Sequence, residues 1–63
     1  MRLLFIPRDE LDIPRVIDLH RYCLENGLEL DYSEYRYTIE LPFSSHHITY
    51  ILLHYDLEFI VAN

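Results

Sequence analysis

Every odd position from 35 to 43 carries an apolar side chain, and the even positions between them are polar or proline. The apolar positions are Tyr35, Tyr37, Ile39, Leu41 and Phe43. Successive side chains of a strand point to opposite faces of a sheet, so this alternation predicts a half-buried antiparallel strand. Pro42 cannot donate a hydrogen bond to a neighbouring strand, and we expect it at the end of this one or on a free edge.

A second apolar run, over 48–61, contains neither glycine nor proline, and its odd positions from 51 to 61 are all apolar. A helix can also be drawn through it. However, its many β-branched and aromatic residues lose rotamer freedom in a helix and fit a pleated surface, which favours a strand. The two runs flank Ser44-Ser45-His46-His47 and predict a β-hairpin. Asp56 either marks a bulge in one long bent strand or splits the run into two strands.

The N-terminal third predicts one strand and one helix. Residues 2–6 are apolar after Arg2 and are stopped by Pro7, which indicates a short strand buried on both faces. A helix is expected from 13 to 25. Its predicted core-facing stripe, at spacings of three and four, is Ile13, Val16, Ile17, His20, Cys23 and Leu24.

Both ends of this helix carry sequence signals. Asp12 is the expected N-cap, with Asp9 as a second candidate if a short turn precedes the helix. Gly27 supplies the left-handed residue that ends it, and Leu28 is expected to fold back onto Cys23.

Residues 28–32 also alternate, but with apolar side chains at even positions, so a short strand is possible there. The change of parity requires a turn or a bulge at Ser33-Glu34. The predicted fold class is therefore α+β. A small antiparallel sheet of three or four strands carries one helix on one face, in the order β-α-(β)-β-β, and the 63 residues form a single domain.

One helix can cover only one face of such a sheet, so the even-numbered face of 48–61 is expected to stay uncovered by the chain itself. Apolar patches bordered by polar groups tend to be interfaces. The predicted partner- or dimer-binding residues are Glu40, Ile48, Tyr50, Leu52, His54, Asp56, Glu58 and Ile60.

The charge is strongly acidic and unevenly distributed. The net charge is −6, residues 1–21 are neutral, and the remainder carries a single arginine, Arg36, against seven carboxylates. This opposes direct nucleic-acid binding, which requires cationic side chains, and favours a basic protein partner. Cys23 is the only cysteine, so no disulfide can form within the chain, and self-association is the natural supplement to a small core. With no signal peptide or membrane span evident, a cytoplasmic location is expected.

No residue pattern predicts catalysis or a cofactor. His46 and His47 would point to opposite faces of a regular strand, and nothing places His20 or Cys23 beside them or beside His54, so a metal site is not favoured. The carboxylate pairs Glu29/Asp31 and Asp56/Glu58 could do acid–base chemistry only in a cleft that shifts one pKa. A phosphate-binding loop is excluded, because Gly27 is the only glycine.

Composition and the uncovered face together predict a small acidic interaction protein. It would bind and inhibit or modulate a larger protein that is basic or handles nucleic acid, as small acidic proteins of phages and mobile elements do. The alternative is a homodimeric structural or assembly protein that uses the same face. A metal protein using the histidines ranks third.

Overall fold

Six elements follow one another in a computed structural model that describes residues 1–62. In chain order they are β1 (Arg2–Phe5), α1 (Asp12–Glu25), β2 (Leu30–Ser33), β3 (Arg36–Glu40), α2 (His46–His54) and β4 (Ile60–Ala62). The strands form one antiparallel sheet in the order β2-β3-β1-β4. The predicted α+β class is confirmed, with two helices where one was expected. The order β-α-β-β-α-β has the connectivity of ferredoxin-like (split β-α-β) folds, an arrangement that hosts many unrelated functions.

The prediction of a strand over 48–61 is wrong. Most of that run is α2, and only its end pairs with the sheet, as β4 beside β1. The Ser45 side chain caps α2 by accepting a hydrogen bond from the backbone N–H of His47 at 3.2 Å. Ile48, Ile51 and Tyr55, spaced three and four apart, turn toward the core, and Ile51 is fully buried. This helical spacing and the cap outweighed the β-branched composition.

The hairpin of this protein joins β2 to β3 rather than β3 to the second run. Ser33 pairs with Arg36, so the loop between them has two residues. These two, Glu34 and Tyr35, have φ values of 54° and 66°. Two successive positive φ values are the signature of a type I′ turn, whose twist matches that of the flanking strands. The predicted turn after residue 32 is thus confirmed.

α1 begins and ends close to the predicted positions. Leu11, not Asp12, is the N-cap residue and makes no side-chain capping bond. Asp9 accepts a hydrogen bond from the backbone N–H of Leu11 at 2.9 Å. At the other end Gly27 has φ 68°, and the Leu28 N–H donates to the Cys23 carbonyl at 2.8 Å. This is the Schellman ending that Gly27 predicts.

The predicted core-facing stripe of α1 is rotated from the real one. Leu19 and Cys23 are fully buried, and Val16 and Tyr22 pack against the core. The other four predicted members are exposed: Ile13, Ile17, His20 and Leu24. The apolar arc of α1 is wider than the area that the small sheet can cover, and a helix with such an arc can be turned either way by tertiary packing.

The core lies between the two helices and one face of the sheet. Leu3 pairs with Ile39 and Phe5 with Tyr37, so these four share the covered face. They pack with Leu19 and Cys23 of α1 and Ile51 of α2. By the alternation of strand side chains, the opposite face presents Arg2, Leu4, Asp31, Ser33, Arg36, Thr38, Glu40, Ile60 and Ala62. We call this the open face, because no helix or strand within residues 1–62 packs on it.

Candidate interaction surface

The eight residues predicted to share one face are in fact distributed over several places. Only Glu40 and Ile60 belong to the open face, with Glu58 beside Ile60 at its border. Ile48 packs against the core, and Tyr50 and His54 lie in a groove between the helices. Leu52 is 39% exposed on α2, and Asp56 joins a cluster of arginines. The predicted common face is wrong because a helix, unlike a strand, does not align every second residue.

A tyrosine–histidine cluster joins the two helices. Its members are Tyr22, His47, Tyr50, His54 and Tyr55. The rings of Tyr22 and Tyr50 stack at 4.6 Å, and those of Tyr50 and His54 stack at 4.0 Å. A hydrogen bond of 2.5 Å connects the Tyr22 hydroxyl and Nδ1 of His47. The cluster borders a shallow groove of about 420 Å³ that Asp18, Arg21 and Glu25 complete.

This cluster holds α1 and α2 together through aromatic stacking and a hydrogen bond. The Tyr50 ring stacks on Tyr22 of α1 and on His54 of its own helix. Because a carbonyl oxygen only accepts, the His54 Nδ1–H donates to the Tyr50 carbonyl at 2.9 Å. Burial raises the pKa of the Tyr22 and Tyr55 hydroxyls above the ordinary value for tyrosine.

A second cluster is built around the buried carboxylate of Asp12. The backbone N–H of Arg8 donates to Oδ2 at 2.8 Å, the Arg8 side chain donates to both carboxylate oxygens at 3.0 Å, and Arg15 donates to Oδ1 at 2.8 Å. Arg8 also donates to the carbonyl of Asp56 at 2.7 Å, and Arg15 lies 3.5 Å from the Asp56 carboxylate. The hydrogen bonds from Arg8, reinforced by Arg15, hold the pKa of Asp12 well below its usual range.

This cluster connects the β1–α1 loop and the first turn of α1 to the α2–β4 loop, through the contacts of Arg8 and Arg15 with Asp56. Both oxygens of the buried Asp12 carboxylate accept hydrogen bonds, and two of the five arginines, Arg8 and Arg15, donate them. Asp12 is thus an ion-pair partner and not the predicted cap. Half of this cluster has a signal in the sequence: Asp12 and Arg15 are three apart in α1 and therefore neighbours on the helix. Arg8 lies in the loop before α1, and its position beside Asp12 depends on the path of that loop.

The open face has an apolar centre. Leu4 of β1 lies between Thr38 of β3 and Ile60 of β4, and Ile6 follows directly after β1. Ile6 and Ile60 are 59% and 67% exposed. At one end of the face, a groove of about 590 Å³ runs between the end of β1 and the segment that leads into β4. Its lining is mostly apolar: Leu4, Phe5, Ile6, Leu57, Phe59 and Ile60, with Arg36 and Glu58 as the charged members.

Carboxylates surround this apolar centre. Within residues 1–62, seven of the eleven carboxylates form no ion pair: Asp9, Glu10, Glu25, Glu29, Asp31, Glu40 and Glu58. Asp31 and Glu40 lie on the open face, and Glu58 lies at its border, as does Glu29, which directly precedes β2. Arg36, one of the two arginines of this face, is 3.4 Å from Glu34. Arg2, the other arginine, lies opposite Glu40 in the register of β1 and β3 without forming an ion pair with it. The open face therefore combines exposed apolar side chains with carboxylates that form no ion pair within residues 1–62.

The four histidines do not form a common site, although the rings of His46 and His47, at the start of α2, lie 4.2 Å apart. His47 bonds to Tyr22, His54 bonds to its own helix, and His20 is exposed on α1. In the part of the chain that the structure describes, no group of three or more histidine, cysteine, aspartate or glutamate side chains could hold a metal ion. Neither α1 nor α2, the helices found in residues 1–62, has the length and hydrophobicity to cross a bilayer.

No protein-family model matches the chain, and no curated protein and no solved structure matches it significantly.

Proposed function

We propose that this protein is a small acidic interaction module that binds a larger protein through the open face and thereby inhibits or modulates it. In this proposal, apolar side chains of the partner contact Leu4, Ile6 and Ile60, and its basic side chains contact the surrounding carboxylates. A protein that handles nucleic acid has such a basic surface, because it must neutralise phosphates. The proposed role is that of a non-catalytic ligand.

The observation that carries this proposal is the combination, on one sheet face, of an apolar centre and unpaired carboxylates. Exposed apolar patches bordered by polar groups mark interaction sites. The charged border gives electrostatic complementarity, which contributes specificity and speeds encounter with a basic surface. The net charge of −6 extends the same attraction beyond the contact.

The test is capture of proteins from a lysate by immobilised protein, compared between three variants. Ile6→Thr with Ile60→Thr removes the apolar centre while keeping β-branched residues. Asp31→Asn with Glu40→Gln removes charge only. Leu53→Gln is the matched control, since Leu53 is 76% exposed on α2 and lies away from the open face.

We expect a captured protein that is lost with the apolar double variant, reduced with the charge variant and retained with the Leu53→Gln control. Circular dichroism of each variant verifies that the fold is unchanged. Equal capture by wild type and by the Ile6→Thr/Ile60→Thr variant would refute the proposal. So would the absence of any captured protein specific to the wild type.

A further inference from the structure

The groove at one end of the open face lies where β4 parts from β1. The β1–β4 ladder ends at Leu4, whereas the β1–β3 ladder continues to Phe5. Directly before β4 the chain makes two tight turns: the Leu57 N–H donates to the Tyr55 carbonyl at 2.9 Å, and the Phe59 N–H donates to the Leu57 carbonyl at 3.0 Å. Bonds between residues two apart are those of γ-turns. The groove beside this bent segment measures about 590 Å³, which is within the size range of ligand sites.

The floor of this groove is apolar and continuous with the core. Leu4 and Ile6 contribute to it, and the Phe5 ring packs edge-on against the Phe59 ring, with 5.3 Å between the ring centroids. Phe5 is fully buried among the core residues. The fold therefore forms the floor before any ligand binds, which reduces the entropy cost of binding. Such a floor fits a large apolar side chain.

The two charged residues of the groove lie on opposite sides of β1. Arg36 belongs to β3 and Glu58 precedes β4, and β3 and β4 are the two neighbours of β1 in the sheet. Neighbouring strands lie about 4.8 Å apart, so the backbone segments that carry these two charges are separated by about 10 Å. The groove therefore has an apolar floor between a cationic wall and an anionic wall.

Both charges are available to a ligand. Glu58 forms no ion pair within residues 1–62. Arg36 is 3.4 Å from Glu34, and these two side chains are 50% and 79% exposed. Exposed ion pairs contribute little to stability, and a guanidinium has five N–H donors, so Arg36 can bind a carboxylate of a ligand.

We propose that the groove binds a short extended peptide segment of the partner that carries an acidic, a large apolar and a basic side chain at alternate positions. The acidic side chain pairs with Arg36, the apolar one packs on the floor, and the basic one pairs with Glu58. This deepens the proposed function and rests on it, because the groove belongs to the open face.

The length of such a segment matches the separation of the two walls. Alternate residues of an extended segment share one face, and the outer two of the three are about 13 Å apart at 3.3 Å per residue. Their long side chains therefore reach both walls. A free amino acid, whose two charges flank a single carbon atom, is too short to do so.

Titration of the isotopically labelled protein with three acetylated and amidated peptides, followed by amide chemical shifts, tests this at about 0.15 M salt. The peptides are Glu-Ser-Phe-Ser-Lys, Lys-Ser-Phe-Ser-Lys and Glu-Ser-Phe-Ser-Glu. We expect the first to bind with a dissociation constant below about 1 mM and to shift the amide signals of the groove. It should bind at least about threefold more tightly than the other two, each of which replaces one ion pair by a contact between like charges.

Reversing a charge in the protein should change this preference. Arg36→Glu should select Lys-Ser-Phe-Ser-Lys, and Glu58→Arg should select Glu-Ser-Phe-Ser-Glu. Arg21→Glu and Glu25→Arg are the controls, since they change the net charge by the same amounts on α1, outside this groove, and should keep the wild-type order. If a reversed variant does not fold, Arg36→Gln or Glu58→Gln takes its place and should bind the two peptides that differ at its wall equally.

Absence of binding by all three peptides at about 10 mM would overturn the inference, as would equal binding of the three by the wild type. A wild-type order that persists in Arg36→Glu and Glu58→Arg, or that changes in the controls, would overturn it too. Lysate capture separates this inference from the proposed function. Capture through the open face without selective peptide binding refutes the charged walls alone, whereas selective peptide binding without any captured protein refutes the proposed function alone.

Discussion

Asp12 is a buried carboxylate whose charge is neutralised by Arg8 and Arg15. Because its pKa in the folded protein lies below its ordinary value of 3.8, the cluster stabilises the fold above about pH 4. That stabilisation is lost as the pH falls toward the lowered pKa. We expect Asp12→Asn to lower the melting temperature at pH 7, and the difference from wild type to shrink steadily below pH 4. Thermal melts monitored by circular dichroism between about pH 7 and pH 2 measure this.

Glu10→Gln is the control for this pH series, since Glu10 is an exposed neighbour that forms no ion pair in the described residues. Its melting curve should follow that of the wild type throughout. A constant difference between Asp12→Asn and wild type at all pH values would show that the variant acts through packing and not through charge.

Glu34 and Tyr35 occupy turn positions with positive φ, a backbone conformation that is unfavourable for residues with large side chains. A left-handed backbone conformation costs most residues roughly 1–2 kcal/mol, whereas glycine and asparagine adopt it at lower cost. We expect Glu34→Asn with Tyr35→Gly to stabilise the protein by about 1–2 kcal/mol in urea unfolding. Tyr35 is 82% exposed, so its removal sacrifices little packing. A destabilised double variant would mean that the Tyr35 ring contributes more than its exposure indicates.

At the scale of single elements, α2 depends on its N-cap. Replacing a serine N-cap by alanine typically costs about 1 kcal/mol, because a backbone N–H at the helix start loses its partner. We therefore expect Ser45→Ala to lower the free energy of unfolding by about 1 kcal/mol. Ser44→Ala is the matched control, since Ser44 is exposed outside the helix and should change little. Equal effects of the two substitutions would contradict the assignment of Ser45 as the cap.

The elements that could be predicted from the sequence are those with local signals. β1, α1 and β3 follow from apolar runs, alternation and the Gly27 ending, which act within a few residues. α2 could not be recognised by residue preference, because its isoleucines and tyrosines favour strands when judged singly. Its helix results from the Ser45 cap together with burial of Ile51, and burial is decided by the rest of the molecule.

The sequence predicts that one face of the sheet is uncovered, but it does not predict which residues lie on that face. An uncovered sheet face was expected, and the sheet has one, but only Glu40 and Ile60 of the predicted set lie on it. Leu4 and Ile6 are absent from the predicted set because the unbroken apolar run of β1 predicts burial on both faces. Which side chains of β1 are exposed depends on which face of the sheet the helices cover. The sequence predicts a strand in place of α2, so it does not show that both helices lie on the same face.

At the scale of the whole molecule, the net charge of −6 attracts a basic partner before contact is made. Salt shortens the reach of this attraction, to a Debye length of about 10 Å at 0.1 M. Added salt should therefore weaken partner binding through the open face.

Lysate capture at about 50 mM and 500 mM sodium chloride measures this effect. We expect less of the captured protein to be retained at the higher salt concentration. Asp31→Asn with Glu40→Gln supplies the comparison, because removing charge from the open face should reduce the salt sensitivity of capture. Equal capture by the wild type at both concentrations would mean that the carboxylates of the open face do not contribute to binding.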